Sequence, residues 1–166
     1  MKVAIFGGGV FGTAIASVIA DNGTDVLLYV RDASQCDSIN FSRMNSNYLP
    51  GVVLSDRCKA TMDLNELSDV RVVLLAVPTS VILKISEDIF PYLPEDVVVL
   101  NLAKGLHASA LTMDVAMQSI LPGIVIGSLK GPTFARPLLH GATSGMTLAL
   151  ENNNRVDVVK QVFDGS

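Results

Sequence analysis

The chain has 166 residues, 49% of them hydrophobic and 17% charged, which suits one self-supporting domain and excludes a disordered chain. Its 12 Lys and Arg stand against 16 Asp and Glu, a net charge of -4, and without a basic cluster this argues against a nucleic-acid partner. Cys36 and Cys58 lie far apart with neither metal nor redox spacing, which suits a reducing compartment and predicts no metal site.

Lys2–Phe6 is a short β-type run ending at glycines. Met1-Lys2 before apolar residues imitates a secretory signal, but Gly7, Gly8, Gly9 and Gly12 interrupt the run where a signal keeps its apolar core. A strand and a glycine turn are therefore predicted. Val10 to Ala20 carries Ala and Ile at helical spacing and stops at Asn22-Gly23. A strand over Asp25–Val30 and a helix of weak apolar spacing over Ala33–Met44 follow, then a loop over Asn45–Asp56 that turns at Pro50-Gly51. Cys58–Thr61 reads as a short edge strand, and Asp63 as the cap of a brief helix over Leu64–Leu67.

Val70–Val77 is nearly continuous Val and Leu, the mark of a parallel strand covered on both faces, with Arg71 at its rim. Pro78 ends it, and Thr79 or Ser80 is expected to cap a helix carrying Val81, Ile82, Ile85 and Ile89. A second buried strand, Val97–Leu102, precedes a helix over Ala108–Ile120 ended by Pro122-Gly123. Then come a strand over Ile124–Leu129, a Gly131-Pro132 turn, a short helix from Thr133 to near His140, a strand over Thr143–Leu150 and a last helix over Asn152–Phe163. Strands alternating with helices predict an α/β fold, a mainly parallel sheet with helices on both faces. No linker or repeat divides the chain, and no stretch approaches the ~18 apolar residues of a membrane span.

Gly7-Gly8-Gly9-Val10-Phe11-Gly12 fits G-x-G-x-x-G between a strand and a helix, the context that turns a common glycine turn into a dinucleotide motif. Gly7 permits the tight turn, Gly9 lets backbone approach a pyrophosphate, and Gly12 lets the helix pack on the strand. The helix N-terminus offers unpaired N–H groups and partial positive charge to phosphates. Beyond the second strand, Arg31 and Asp32 pull opposite ways. Arg31 suits the 2′-phosphate of NADP or stacking on adenine, whereas Asp32 suits the ribose hydroxyls of NAD. The expected cofactor is NAD or NADP, with Arg31 the favoured contact.

Lys104 follows a buried strand at the carboxyl edge, where open α/β sheets bind ligands, and its cation can hold an anionic substrate or polarise a carbonyl. Gly131-Pro132-Thr133-Phe134-Ala135 is a second strand-to-helix glycine turn, in which Gly131 allows close approach and Thr133 can cap the helix or donate to a ligand oxygen. Lys130 beside it adds positive potential or is simply solvated. His107 and His140 lack metal-ligand partners in sequence and read as surface residues.

In sum the chain resembles the N-terminal domain of NAD(P)-dependent glycerol-3-phosphate dehydrogenases. The resemblance rests on Gly7-x-Gly9-x-x-Gly12-Thr13-Ala14, Tyr29-Val30-Arg31-Asp32, Asn45-x-x-Tyr48-Leu49-Pro50-Gly51, Ala76-Val77-Pro78, Ala103-Lys104-Gly105 and Gly131-Pro132-Thr133-Phe134-Ala135, in family order. It covers essentially the whole chain and implies a Rossmann-type doubly wound fold in a cytoplasmic oxidoreductase. The implied reaction is hydride transfer between NAD(P)H and dihydroxyacetone phosphate, giving sn-glycerol 3-phosphate for glycerophospholipid synthesis. By motif position it implies cofactor contacts from Val10, Phe11, Arg31, Lys104 and Ala135, beside Gly7, Gly9 and Gly12. Lys104, Gly131 and Thr133 would touch substrate.

One departure is Lys130, where the family often has Ser. The family's proton-transferring lysine belongs to a helical C-terminal domain. Residues 1–166 are therefore expected to form the dinucleotide-binding domain alone, without a catalytic residue and inactive in isolation, of a protein that is a homodimer at full length. A stand-alone nucleotide-sensing module and the N-terminal domain of another ketone or hydroxyacid reductase are the alternatives. Tyr48-Leu49-Pro50-Gly51 and Lys104-Gly105 argue against the latter.

Overall fold

The computed structural model describes residues 1–105, 112–132, 134–139, 145–151 and 155–164. Seven strands form one sheet: β1 (Lys2–Phe6), β2 (Asp25–Tyr29), β3 (Cys58–Thr61), β4 (Val72–Leu75), β5 (Val98–Asn101), β6 (Val125–Lys130) and β7 (Thr147–Leu150). Their order across the sheet is β3-β2-β1-β4-β5-β6-β7. Every pairing is parallel except β6 with β7. The helices are α1 (Val10–Asp21), α2 (Ala33–Ser42), α3 (Thr79–Ile89), α4 (Met113–Gln118), α5 (Ala135–Leu139) and α6 (Val156–Phe163). Among the described residues no helix is long and apolar enough to cross a membrane.

Strand alternation divides the core into two layers. Val3 and Ile5 of β1 pack with Ile15 and Ile19 of α1, Ile39 of α2 and Val159 of α6 on one face. Ala4 and Phe6 pack with Ile82 of α3 and Met113 and Met117 of α4 on the other. The two layers meet in β4: Val72 and Leu74 face one, Val73 and Leu75 the other, all at 0% exposure. Each such side chain contributes roughly 1.5–3 kcal/mol of burial, which is why this segment reads as unbroken Val and Leu.

The elements end where a specific bond or dihedral ends them. Gly23 (φ 90) closes α1, its N–H donating to Ala20 O at 3.0 Å while Thr24 N–H reaches Ile19 O at 3.3 Å, a Schellman cap. α2 stops two residues short of the predicted Met44 because Arg43 turns left-handed (φ 54) and donates its N–H to Ile39 O. β4 and β5 are shorter than predicted, as each keeps only the residues paired to both neighbours. Arg71 sits at the rim of β4, paired with Asp96 at 2.6 Å.

The expected cap of α3 is corrected. Pro78 occupies the N-cap with no side-chain bond, and Thr79 is already helical, its hydroxyl donating to the Lys104 carbonyl at 3.1 Å. Asp63 does cap its turn, accepting from Asn65 N–H at 2.9 Å. The predicted starts at Ala108, Thr143 and Asn152, together with His107 and His140, lie outside the described residues.

Cys58, on the edge strand, is 4% exposed. Burial, aided by the Asp21 carboxylate, pushes its thiol from 9.0 up to about 12. In the folded chain at about pH 8, iodoacetamide should leave Cys58 unmodified and label it only after unfolding, read by mass spectrometry. The folded thiol keeps its proton where the unfolded one has lost it, so stability falls as pH rises from 9.0 towards about 12. The melting temperature of Cys58→Val should fall less steeply across that interval than that of the unmodified chain.

Candidate functional site

β1 lies between β2 and β4. The chain leaves β1 toward one edge of the sheet and returns from β3 to β4 on the other side, so a crevice opens at the carboxyl ends of β1 and β4. Only Gly7, Gly8 and Gly9 separate β1 from α1. Gly7 has φ +115, and a Cβ there would meet Ala76 O at 2.5 Å. A Cβ on Gly12 would meet Gly7 O at 1.9 Å, so α1 rests on the turn at backbone contact. A Cβ on Gly9 would meet nothing within 4 Å. Gly9 is the N-cap of α1, extended and without a side-chain bond. Open space before uncapped helix N–H groups is what a pyrophosphate needs, so a dinucleotide fits here.

Two cavities flank the turn and share Ala76 and Val77. One, of about 810 Å³, runs along Gly7–Gly9, Arg31 and Asp32 toward Tyr48 and α3. The other, of about 700 Å³, is lined by Val10, Phe11, Lys104, Lys130, Gly131 and Ala135 among others. The sequence-predicted residues thus separate into two groups, with Arg31 in one cavity and Lys104, Gly131 and Ala135 in the other. Thr133 lies outside the described residues.

Arg31 and Asp32 are both exposed at the first cavity, and local structure gives Asp32 a further task. Asp32 is the N-cap of α2, its Oδ1 accepting from Gln35 N–H at 2.8 Å. That bond assigns Asp32 a capping role. Arg31 is exposed and pairs with no carboxylate among the described residues. Beneath them the rings of Phe6 and Tyr29 stack at 4.7 Å.

In the second cavity the Lys104 ammonium lies 5.5 Å from the centre of the Phe134 ring, a cation–π contact. Lys130 is not a solvated lysine. It is half-buried and donates to the Ala103 carbonyl, and burial pushes its ammonium below the usual range, against the opposing attraction of Asp114. Lys104, Lys130 and Arg136 line this cavity, with no Asp or Glu among the described residues lining it. Its charge therefore favours an anion. Gly131 permits a close approach to chain: a Cβ there would meet Gly145 O at 2.5 Å. Among the described residues no group of His, Cys, Asp and Glu could hold a metal.

Residues 2–156 match the family model of the NAD-dependent glycerol-3-phosphate dehydrogenase N-terminus. The chain belongs to this family. It is 36% identical over 165 residues to a glycerol-3-phosphate dehydrogenase, NAD(P)+, of Teredinibacter turnerae, covering 98% of this chain and 48% of that one. A relative of the same name from Saccharophagus degradans is 34% identical, covering 99% and 46%. Thus the chain spans about half the length of the curated relatives it matches. The crystal structure of glycerol-3-phosphate dehydrogenase from Coxiella burnetii has the same fold, with a TM-score of 0.91 at 23% identity over 99% of this chain and 51% of that one.

Three side chains around the glycine turn escaped the sequence reading of this family member. Gln35 and Asn45 both donate to Gly8 O, and Asn45 also donates to Thr13 Oγ1. Asn45 and Thr13 entered only as letters of a family motif. Gln35 carried no signal, being one polar residue of a helix with little apolar pattern.

Gly12, in backbone contact, and Gly9, in open space, separate by substitution. Gly12→Ala should cost roughly 3 kcal/mol or more in urea unfolding, because backbone must move to admit the Cβ. Gly9→Ala should unfold at the same or a slightly higher urea concentration than the unmodified chain, since its φ of -77 suits alanine.

Proposed function

We propose that residues 1–166 are the dinucleotide-binding domain of an sn-glycerol-3-phosphate dehydrogenase, which interconverts dihydroxyacetone phosphate and sn-glycerol 3-phosphate. The observation that carries this reading is the pair of cavities meeting at Ala76 and Val77, one beside the exposed Arg31 and one lined by cations, with no carboxylate among its described residues. A dinucleotide laid across the glycine turn would have one half in each. Gly7, Gly9 and Gly12 would accommodate the pyrophosphate, with Val10, Phe11, Lys104 and Ala135 around the reactive half. When bound, a reduced nicotinamide supplies the hydride for the ketone carbon.

Lys104, Gly131 and Thr133 would hold the substrate, and the Lys104 cation would attract its phosphate or polarise its carbonyl oxygen. The alkoxide formed at that oxygen needs a proton. We assign that proton to a lysine of a helical domain outside residues 1–166, in a homodimeric cytoplasmic protein that supplies phospholipid synthesis. The relatives' greater length supports this division. Arg31, exposed while Asp32 caps α2, supports acceptance of NADP as well as NAD.

Fluorescence titration of this chain should show saturable binding of NADH and NADPH, with negligible reduction of dihydroxyacetone phosphate. Absence of binding would overturn the reading, and full turnover would place the proton donor within these residues. Gly9→Ala should fold and bind both nucleotides more weakly. Arg31→Ala should weaken NADPH roughly tenfold more than NADH, the worth of a charged hydrogen bond. Equal weakening would remove Arg31 from the 2′-phosphate.

A further inference from the structure

The peptide between Gly8 and Gly9 is held from behind. Gly8 O accepts from Gln35 Nε2 at 2.6 Å and from Asn45 Nδ2 at 2.9 Å, so two amides occupy it. Asn45 Nδ2 also donates to Thr13 Oγ1 at 2.7 Å, and Asn45 Oδ1 accepts from Gln35 Nε2 at 3.2 Å. Each amide nitrogen thereby has two acceptors for its two protons, and the network closes on itself. It is secluded from water, with Thr13 at 0%, Asn45 at 2% and Gln35 at 9% exposure. Three segments distant in sequence contribute: the first turn of α1, the first turn of α2 and the loop after α2.

In a trans peptide the C=O and the following N–H point in opposite directions, and the chain has no cis peptide among the described residues. A carbonyl drawn toward Gln35 and Asn45 therefore turns the Gly9 N–H away from them, at a residue where even a Cβ would meet nothing within 4 Å. Released, the same carbonyl would be free to rotate toward the crevice and set its negative end against an anion.

We propose that Asn45 and Gln35 are positioning residues that hold the Gly8 carbonyl inward and so aim the Gly9 N–H at the pyrophosphate of the dinucleotide. The inference rests on the dinucleotide reading above and extends it to residues that need not touch the ligand. Asn45 lines neither cavity, whereas Gln35 stands in the wall of the one beside Arg31, so Asn45 is the cleaner probe of an indirect role.

The test uses the full chain and the near-isosteric variants Asn45→Leu and Gln35→Met, with NADH, ADP and adenosine as ligands in calorimetric or NMR titrations. Circular dichroism checks the fold, and Gln35→Met, which keeps the two bonds that Asn45 donates, carries the test if Asn45→Leu does not fold. Each variant should weaken ADP and NADH about tenfold, the value of one buried hydrogen bond to a charged site. Adenosine, which has no phosphate, should stay within about twofold for Asn45→Leu. The double variant should lose little more than the worse single one, because both act on one carbonyl. Unchanged ADP affinity in a folded variant would overturn the proposal. So would equal weakening of ADP and adenosine by Asn45→Leu, which would mean general loosening of the site. If the unmodified chain binds neither NADH nor ADP, the functional reading falls and the clamp with it. Normal binding by that chain and by the variants alike would remove only the clamp.

Discussion

A side chain on Gly12 would put its Cβ 1.9 Å from the Gly7 carbonyl oxygen, and this contact sets the geometry of everything around it. Because α1 touches the turn at backbone distance, it leaves β1 after only three residues and lies directly over the sheet. Its N-terminus then faces the gap where the chain has gone one way to β2 and come back the other way to β4. The helix dipole, the uncapped N–H groups and the crevice are thus brought together by one missing methyl group. Gly7 completes the arrangement from the other side, against Ala76 O at the end of β4.

Chemical differentiation follows on either side of that turn. Toward α2 the surface offers the exposed Arg31, next to Asp32, which caps the helix. Toward α5 it offers Lys104, Lys130 and Arg136 in an otherwise largely apolar cavity. Lys104 is steadied by the face of Phe134 and Lys130 by the Ala103 carbonyl. Each of these two cations thus has a partner before any anion arrives, while burial still pushes the Lys130 ammonium down. The Thr79 hydroxyl, bonded to the Lys104 carbonyl, joins the start of α3 to the same edge.

Legibility in the sequence tracked how local the cause was. The buried strands were plain because β4 and β5 are covered on both faces and must be apolar at every position. The edge strand Cys58–Thr61 was found with the bounds it has. The cap of α3 was misplaced because Thr79 has a partner 25 residues away, which no local rule contains. Lys130 was ambiguous for the same reason: its half-buried state depends on the Ala103 backbone, contributed by another strand edge.

The amino-acid sequence by itself determined the alternation of strands and helices, the glycine turn and the family, since each is written in neighbouring residues or in motifs read along the chain. Only the tertiary structure decided that Lys104 and Lys130 share one cavity and that Gln35 and Asn45 converge on the Gly8 carbonyl. Those outcomes depend on directions in space. A donor finds its acceptor across 27 or 37 residues of chain only after the sheet has ordered its strands and set each loop over its neighbour.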